Sequence, residues 1–131
     1  MTEMETGKNI SLENASSREL ADAIIKILDD KKARDIRLLK FKEGNDLTDY
    51  FVLCSGTATT QIKGYAGEIE YRIGEAGVKP LHIDGYETGT WIAMDYAQVI
   101  VHIFHKNERD FYKLEKLWNE AEEIPLTFEE E

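Results

Sequence analysis

Residues 91–118 read Trp91-Ile92-Ala93-Met94-Asp95-Tyr96-Ala97-Gln98-Val99-Ile100-Val101-His102-Ile103-Phe104-His105-Lys106-Asn107-Glu108-Arg109-Asp110-Phe111-Tyr112-Lys113-Leu114-Glu115-Lys116-Leu117-Trp118. Two apolar runs, 91–95 and 99–105, stand on either side of a short break. Runs of strand length so close together predict an antiparallel hairpin. Downstream, Phe111, Leu114, Leu117, Trp118 and Ala121 recur at three and four, predicting a helix from Lys106 or Asn107 to about Ala121. Alternation puts Trp91, Ala93 and Asp95 on one strand face and Ile92 and Met94 on the other. A face holding both a tryptophan and an aspartate is not wholly buried. Asp95 and Tyr96 in the break lie where the sheet meets water. Nothing in the stretch has the look of an active site.

Upstream, Ser16 or Ser17 caps a helix whose apolar face is Leu20, Ala23, Ile24, Ile27 and Leu28. Ile36 to Phe41 is a predicted strand, and its basic flank (Lys31, Lys32, Arg34, Arg37, Lys40, Lys42) reads as a solvated edge. Asp49 to Ser55 is an apolar run suited to a strand covered on both faces. Gly56 ends it, and Thr57, Thr59 and Thr60 are candidate caps for the next helix. That helix carries the stripe Ile62, Ala66, Ile69, Ile73 and Ala76. Gly64, Gly67 and Gly74 either admit a close neighbour or leave it soft, at ~1 kcal/mol each relative to alanine. Gly77 suits the helix exit, and Lys79 to Ile83 is a short strand. The order is α-β-β-α-β-β-β-α. It predicts an α/β (mixed α+β) fold with a mostly five-stranded mixed sheet flanked by helices.

The chain has 131 residues and forms one domain, large enough to fold without a metal or a disulfide. Residues 1–15 read as a flexible N-terminal arm, 16–121 as the folded domain and 122–131 as an acidic tail. The formal charge is −10. Much of it sits in the arm and the tail, so the folded part is only mildly acidic. Acidity disfavours nucleic-acid binding as the main activity and favours encounter with a basic protein, though it also serves solubility alone. The single Cys54 excludes an internal disulfide and suits a reducing compartment. No apolar run is long enough to span a bilayer, and the start resembles neither a signal nor a transit peptide, so a cytoplasmic location with no membrane partner is expected.

The search for chemistry finds little. No Asp-x-Asp pair lies on a strand to hold magnesium, Glu68 and Glu70 point apart on a helix, and Asp84 and Asp95 stand alone. No phosphate-loop or dinucleotide motif is present, and Ser55-Gly56 before a helix is a structural turn ahead of a phosphate cradle. His102 and His105, three apart on a strand, face opposite sides and cannot share an ion. His102 reads as a hydrogen-bonded core histidine, His105 as a residue of a binding rim, and Cys54 as buried. No catalytic residue, metal site or cofactor is expected. For Trp91 two readings stand side by side: a cap on the core, or part of an exposed cluster with Asp95 and Tyr96 of the kind found at interface hot spots.

Three blocks resemble the ribosomal silencing factor family, also called Iojap-related proteins. They are Asp49-Tyr50-Phe51-Val52-Leu53-Cys54-Ser55-Gly56-Thr57 with Gln61; Trp91 through Asp95-Tyr96 and Val99 to His105; and Arg109, Phe111-Tyr112, Leu114-Glu115 and Leu117-Trp118. Three positions depart from the pattern the family often shows. Ala97-Gln98 follow the Asp-Tyr pair in place of Gly-Asp, and Thr60 precedes Gln61 in place of Arg. The resemblance implies a nucleotidyltransferase-like topology without the catalytic carboxylates. It implies a translational repressor that binds the large ribosomal subunit through its fourteenth protein, blocks joining of the small subunit when nutrients are limiting, and can form a homodimer when free. Under it, the partner-binding residues are Trp91, Asp95, Tyr96, Asp49, Tyr50 and His105. The rival readings are a nucleotide-binding or nucleotidyltransferase-like enzyme and a dimerisation module with another partner.

Overall fold

In a computed structural model of the chain, residues 11–42, 48–106 and 121–127 are described. The elements are α1 (Ser17–Asp30), β1 (Arg34–Phe41), β2 (Tyr50–Gly56), α2 (Thr59–Glu75), β3 (His82–Asp84), β4 (Trp91–Asp95), β5 (Val99–His105) and β6 (Ala121–Ile124). The sheet runs in the order β3-β4-β5-β2-β1-β6. Only β2 and β5, at its centre, pair in parallel; every other neighbour is antiparallel.

Both described helices lie on one face. Ser16 begins α1 through a capping box: its Oγ accepts the Glu19 N–H at 3.1 Å, and Glu19 Oε1 accepts the Ser16 N–H at 2.9 Å. The stripe Leu20, Ile24 and Leu28 then packs with Ile62, Ile69 and Ile73 of α2 over Val52, Ile92, Met94, Val101 and Ile103 of the sheet. The opposite face carries a second cluster, Leu39, Phe41, Phe51, Leu53 and Phe104, with Trp91, Ile100 and Ala121 packed against it. Strand β2 is buried along its whole length, as an apolar run between two faces requires.

Several expectations are corrected. The sheet has six strands among the described residues, the sixth being Ala121–Ile124. Its first residue was predicted to end a helix and the others to begin a loose tail. Instead they pair with Leu38–Phe41, and Glu123 Oε1 lies 3.5 Å from Arg37 Nη1. The basic strand β1 is therefore interior, not an edge. The remainder of the predicted closing helix, 107–120, lies outside the described residues. At the other end, the Leu12 N–H donates to Ala76 O at 2.8 Å and Leu12 packs on the core. The packed unit thus starts ahead of the arm boundary predicted at 15; residues 1–10 are outside the described set. No threonine caps α2: its N-cap is Ala58, and Gln61 Oε1 instead accepts the Thr57 N–H at 2.8 Å. Gly64, Gly67 and Gly74 meet nothing within 4 Å, so they admit no close neighbour. Among the described residues no helix is long and apolar enough to cross a membrane.

Candidate interaction surface

The hairpin β4–β5 carries most of the expected site. Register pairs Trp91 with Phe104, Ala93 with His102 and Asp95 with Ile100. Trp91, Ala93 and Asp95 share the face away from the helices and are partly exposed, while Ile92 and Met94 are fully buried on the other. The alternation read from the sequence holds.

The six expected residues do not form one patch. Trp91 sits at the end of β4 where the His105 N–H donates to Thr90 O at 2.8 Å. Four residues along, about 13 Å at strand rise, Asp95 shares the other end with Tyr96, Asp49 and Tyr50. There the Asp49 N–H donates to Gln98 O at 3.2 Å and Thr48 Oγ1 donates to Ala97 O at 2.8 Å. Trp91 and His105 lie at one end of the hairpin, on opposite faces of the sheet; Asp95, Tyr96, Asp49 and Tyr50 lie at the other end.

Two of the six are not exposed. Tyr96 is 5% accessible and Tyr50 is 8%, and both rings belong to the helix-side core. The expectation that they offer contact area at the surface is corrected. In each case the residue follows an aspartate at a strand end, and its ring turns inward under α1 and α2. Burial, with Glu70 adding its charge, pushes the Tyr96 phenol well above its ordinary range, so it stays neutral. Its hydroxyl is sealed without a hydrogen-bond partner.

Asp95 has two tasks. Its Oδ1 accepts the Ala97 N–H at 2.7 Å, closing the turn, and its Oδ2 faces His82 Nε2 at 3.7 Å. Its side chain keeps 26% exposure. Ala97 has φ +72°, and the Gln98 N–H donates to Tyr96 O at 2.8 Å, which makes a tight γ-turn with a positive φ at its centre. Glycine takes that region without the steric cost that the Ala97 Cβ carries there. Asp49 is exposed, and its Oδ2 accepts from Ser17 Oγ at the start of α1. A pocket of about 310 Å³ lies there, lined by Ser16, Ser17, Arg18, Lys40, Phe41, Asp49 and Tyr50.

His82 was passed over in the sequence. The register of β3 on β4 sets it opposite Asp95, and its Nε2 lies 3.5 Å from Asp84 Oδ2. Asp84 and Asp95, read as isolated, thus both come within 4 Å of one imidazole nitrogen. Only the pairing register could have revealed this, and a three-residue strand advertises none. Beside it Leu81 is 69% exposed. Gly85, φ +83°, has no room for a Cβ, which would fall 2.1 Å from Trp91 O.

The arrangement offers no assembled chemistry. Among the described residues no group of three or more His, Cys, Asp or Glu could hold a metal ion. Ser55 and Gly56, the conceivable phosphate cradle, are buried; a Cβ on Gly56 would press on Gln61, Tyr65 and Ile62 at 3.2–3.3 Å. Cys54 is fully buried. His102 is the hydrogen-bonded core histidine expected: Nδ1 accepts from the Trp91 indole at 3.1 Å.

Known proteins place the fold in context. The profile of the family described as "Ribosomal silencing factor during starvation" matches residues 14–131. The chain is 36% identical over 111 residues to the ribosomal silencing factor RsfS of Halalkalibacterium halodurans, covering 85% of this chain and 95% of that one. It is 38% identical over 100 residues to the protein of the same name from Bacillus subtilis, covering 76% and 85%. A crystal structure of a Chromobacterium violaceum protein superposes with a TM-score of 0.75 at 28% identity, covering 86% of this chain and 92% of that one.

Proposed function

The chain belongs to the ribosomal silencing factor family, and from that membership we propose that it represses translation by standing in the way of subunit joining. It binds the large ribosomal subunit through that subunit's fourteenth protein, acts in the cytoplasm and is called on when nutrients are short. The work is steric: bulk held at the intersubunit face suffices, and no bond is made or broken.

One observation supports this reading above others. Trp91 and Asp95 share a sheet face and both keep accessible surface, in a hairpin with no catalytic constellation among the described residues. A partly exposed tryptophan supplies rigid contact area at one end of β4, and the carboxylate at its other end accepts charge-assisted hydrogen bonds from the Arg and Lys of a basic ribosomal protein. Asp84 adds a second carboxylate at the rim. Asp49 extends the Asp95 end, and His105 stands at the Trp91 end on the other face of the sheet. Tyr50 and Tyr96 back the Asp95 end from within.

The test is co-sedimentation of the purified chain with isolated bacterial large subunits, followed by addition of small subunits. The chain should travel with the large subunit and reduce the yield of joined ribosomes. Asp95→Asn keeps an acceptor for the Ala97 N–H while removing the charge, and should weaken attachment by about tenfold without unfolding the turn. A chain that stays at the top of the gradient, or that rides on the large subunit while joining proceeds normally, would refute the proposal.

A further inference from the structure

Trp91 and His102 are diagonal neighbours on the face away from the helices. The residue directly opposite His102 is Ala93, whose small side chain leaves the diagonal open. The indole Nε1–H donates to His102 Nδ1 at 3.1 Å. An imidazole that accepts at Nδ1 carries its proton on Nε2, and Nε2 is sealed with no hydrogen-bond partner. Part of the residue's edge remains accessible, but not this atom.

The rest of the environment is aromatic. Phe51 stands edge-on to the imidazole with centroids 4.5 Å apart, Phe104 stacks at 5.9 Å, and Trp91 leans over Phe104 at 5.0 Å. A phenylalanine at 102 would meet the same rings and remove the sealed Nε2–H, but it would take the acceptor away from the Trp91 indole N–H. Packing alone therefore does not ask for histidine here. What histidine adds, and phenylalanine lacks, is an acceptor for the Trp91 indole. Burial holds its pKa down at about 4, so that acceptor is present at neutral pH.

We propose that His102 is a positioning residue: through Nδ1 it locks the Trp91 indole in the orientation in which that ring docks on its basic protein partner. This rests on the reading that the β4 face binds the large ribosomal subunit. An anchor ring fixed before encounter has less freedom to lose on binding, which shows as affinity. The stability given up at the sealed N–H is exchanged for a preset surface.

The experiment compares the full chain with His102→Phe, His102→Asn and Trp91→Ala. Three quantities are read: affinity for isolated bacterial large subunits, Tm, and the indole signals of ¹⁵N-tryptophan-labelled protein. The chain has two tryptophans, so two signals are seen. His102→Phe should bind about tenfold more weakly at unchanged or higher Tm, and exchange of the Trp91 indole proton should speed up. Asparagine sets Oδ1 near the place of Nδ1, so His102→Asn should recover most of the affinity and the slow exchange. Trp91→Ala must bind at least as weakly as His102→Phe. If His102→Phe binds like the unaltered chain while Trp91→Ala does not, the positioning role is wrong and the docking face stands. If Trp91→Ala binds normally, both fall. If His102→Phe is unstable, the decision passes to His102→Asn: restored exchange protection with full affinity supports the role, and restored protection with lost affinity overturns it.

Discussion

Helix α2 holds a testable weakness. It spans 17 residues, and at Gly64, Gly67 and Gly74 within it an added methyl group would meet no neighbouring atom inside 4 Å. None of the three has a positive φ. Alanine at each position therefore fits without strain and removes backbone freedom from the unfolded chain. The gain is ~1 kcal/mol at Gly64 and at Gly67, and about half that at Gly74, which sits in the final turn where helices fray. The triple variant should gain roughly 2–3 kcal/mol, and at this chain length that corresponds to about 10 °C in Tm. Urea unfolding followed by far-UV circular dichroism measures it, with the midpoint rising at constant slope. Because α2 lies across the sheet from Trp91, affinity for the large subunit should not move. A triple variant no more stable than the parent would refute the claim that these glycines are open sites. Unchanged stability with lost affinity would mean that α2, and not the hairpin face, meets the partner.

Three further outcomes are expected. Ala97→Gly relieves the residue held at φ +72° and should stabilise by about 0.5–1 kcal/mol in the same unfolding assay. Tyr96→Phe removes a buried hydroxyl that has no partner and should be neutral or stabilising by up to about 1 kcal/mol; a loss larger than that would reveal a bond the hydroxyl does make. His102 titrates near 4 when folded and near 6.5 when unfolded, so the unfolded chain binds the extra proton between those values. The stability it contributes is complete above pH 6.5 and is lost as the pH falls to 4. The loss reaches at most about 3 kcal/mol, and His102→Phe should flatten the unfolding free energy across that window.

The hairpin and the serine cap of α1 were legible because their signals are local: two apolar runs around a break, and Ser16 or Ser17 just ahead of an apolar helical stripe. The grouping of the site was not. Alternation tells which face Trp91 and Asp95 share, and their numbers put them at the two ends of β4; what it cannot tell is that Asp49 and Tyr50 come to the Asp95 end. Tyr96 was read as lying at the water-facing break between the strands, and Tyr50 was named through the family resemblance alone; the space under the helices that takes their rings is a tertiary fact. Strand β6 was missed for a different reason. Ala121-Glu122-Glu123-Ile124 has neither β-branched richness nor a flanking turn, and it becomes a strand because β1 offers it a free edge and Arg37 faces Glu123. The Ala97 turn shows the reverse: the family pattern, with glycine at that position, already marks the place where the backbone takes a positive φ.

The late closure of β1 has a consequence for synthesis. Its outer row of amides and carbonyls is covered by β6, whose residues leave the ribosome roughly eighty positions after β1 itself, about 4–16 s at ordinary elongation rates. Throughout that interval the nascent chain presents a naked strand edge, the sort that seeks an identical edge on a neighbouring polypeptide. On a crowded polysome, premature stops that delete 121–124 should therefore yield aggregates in place of shortened soluble protein.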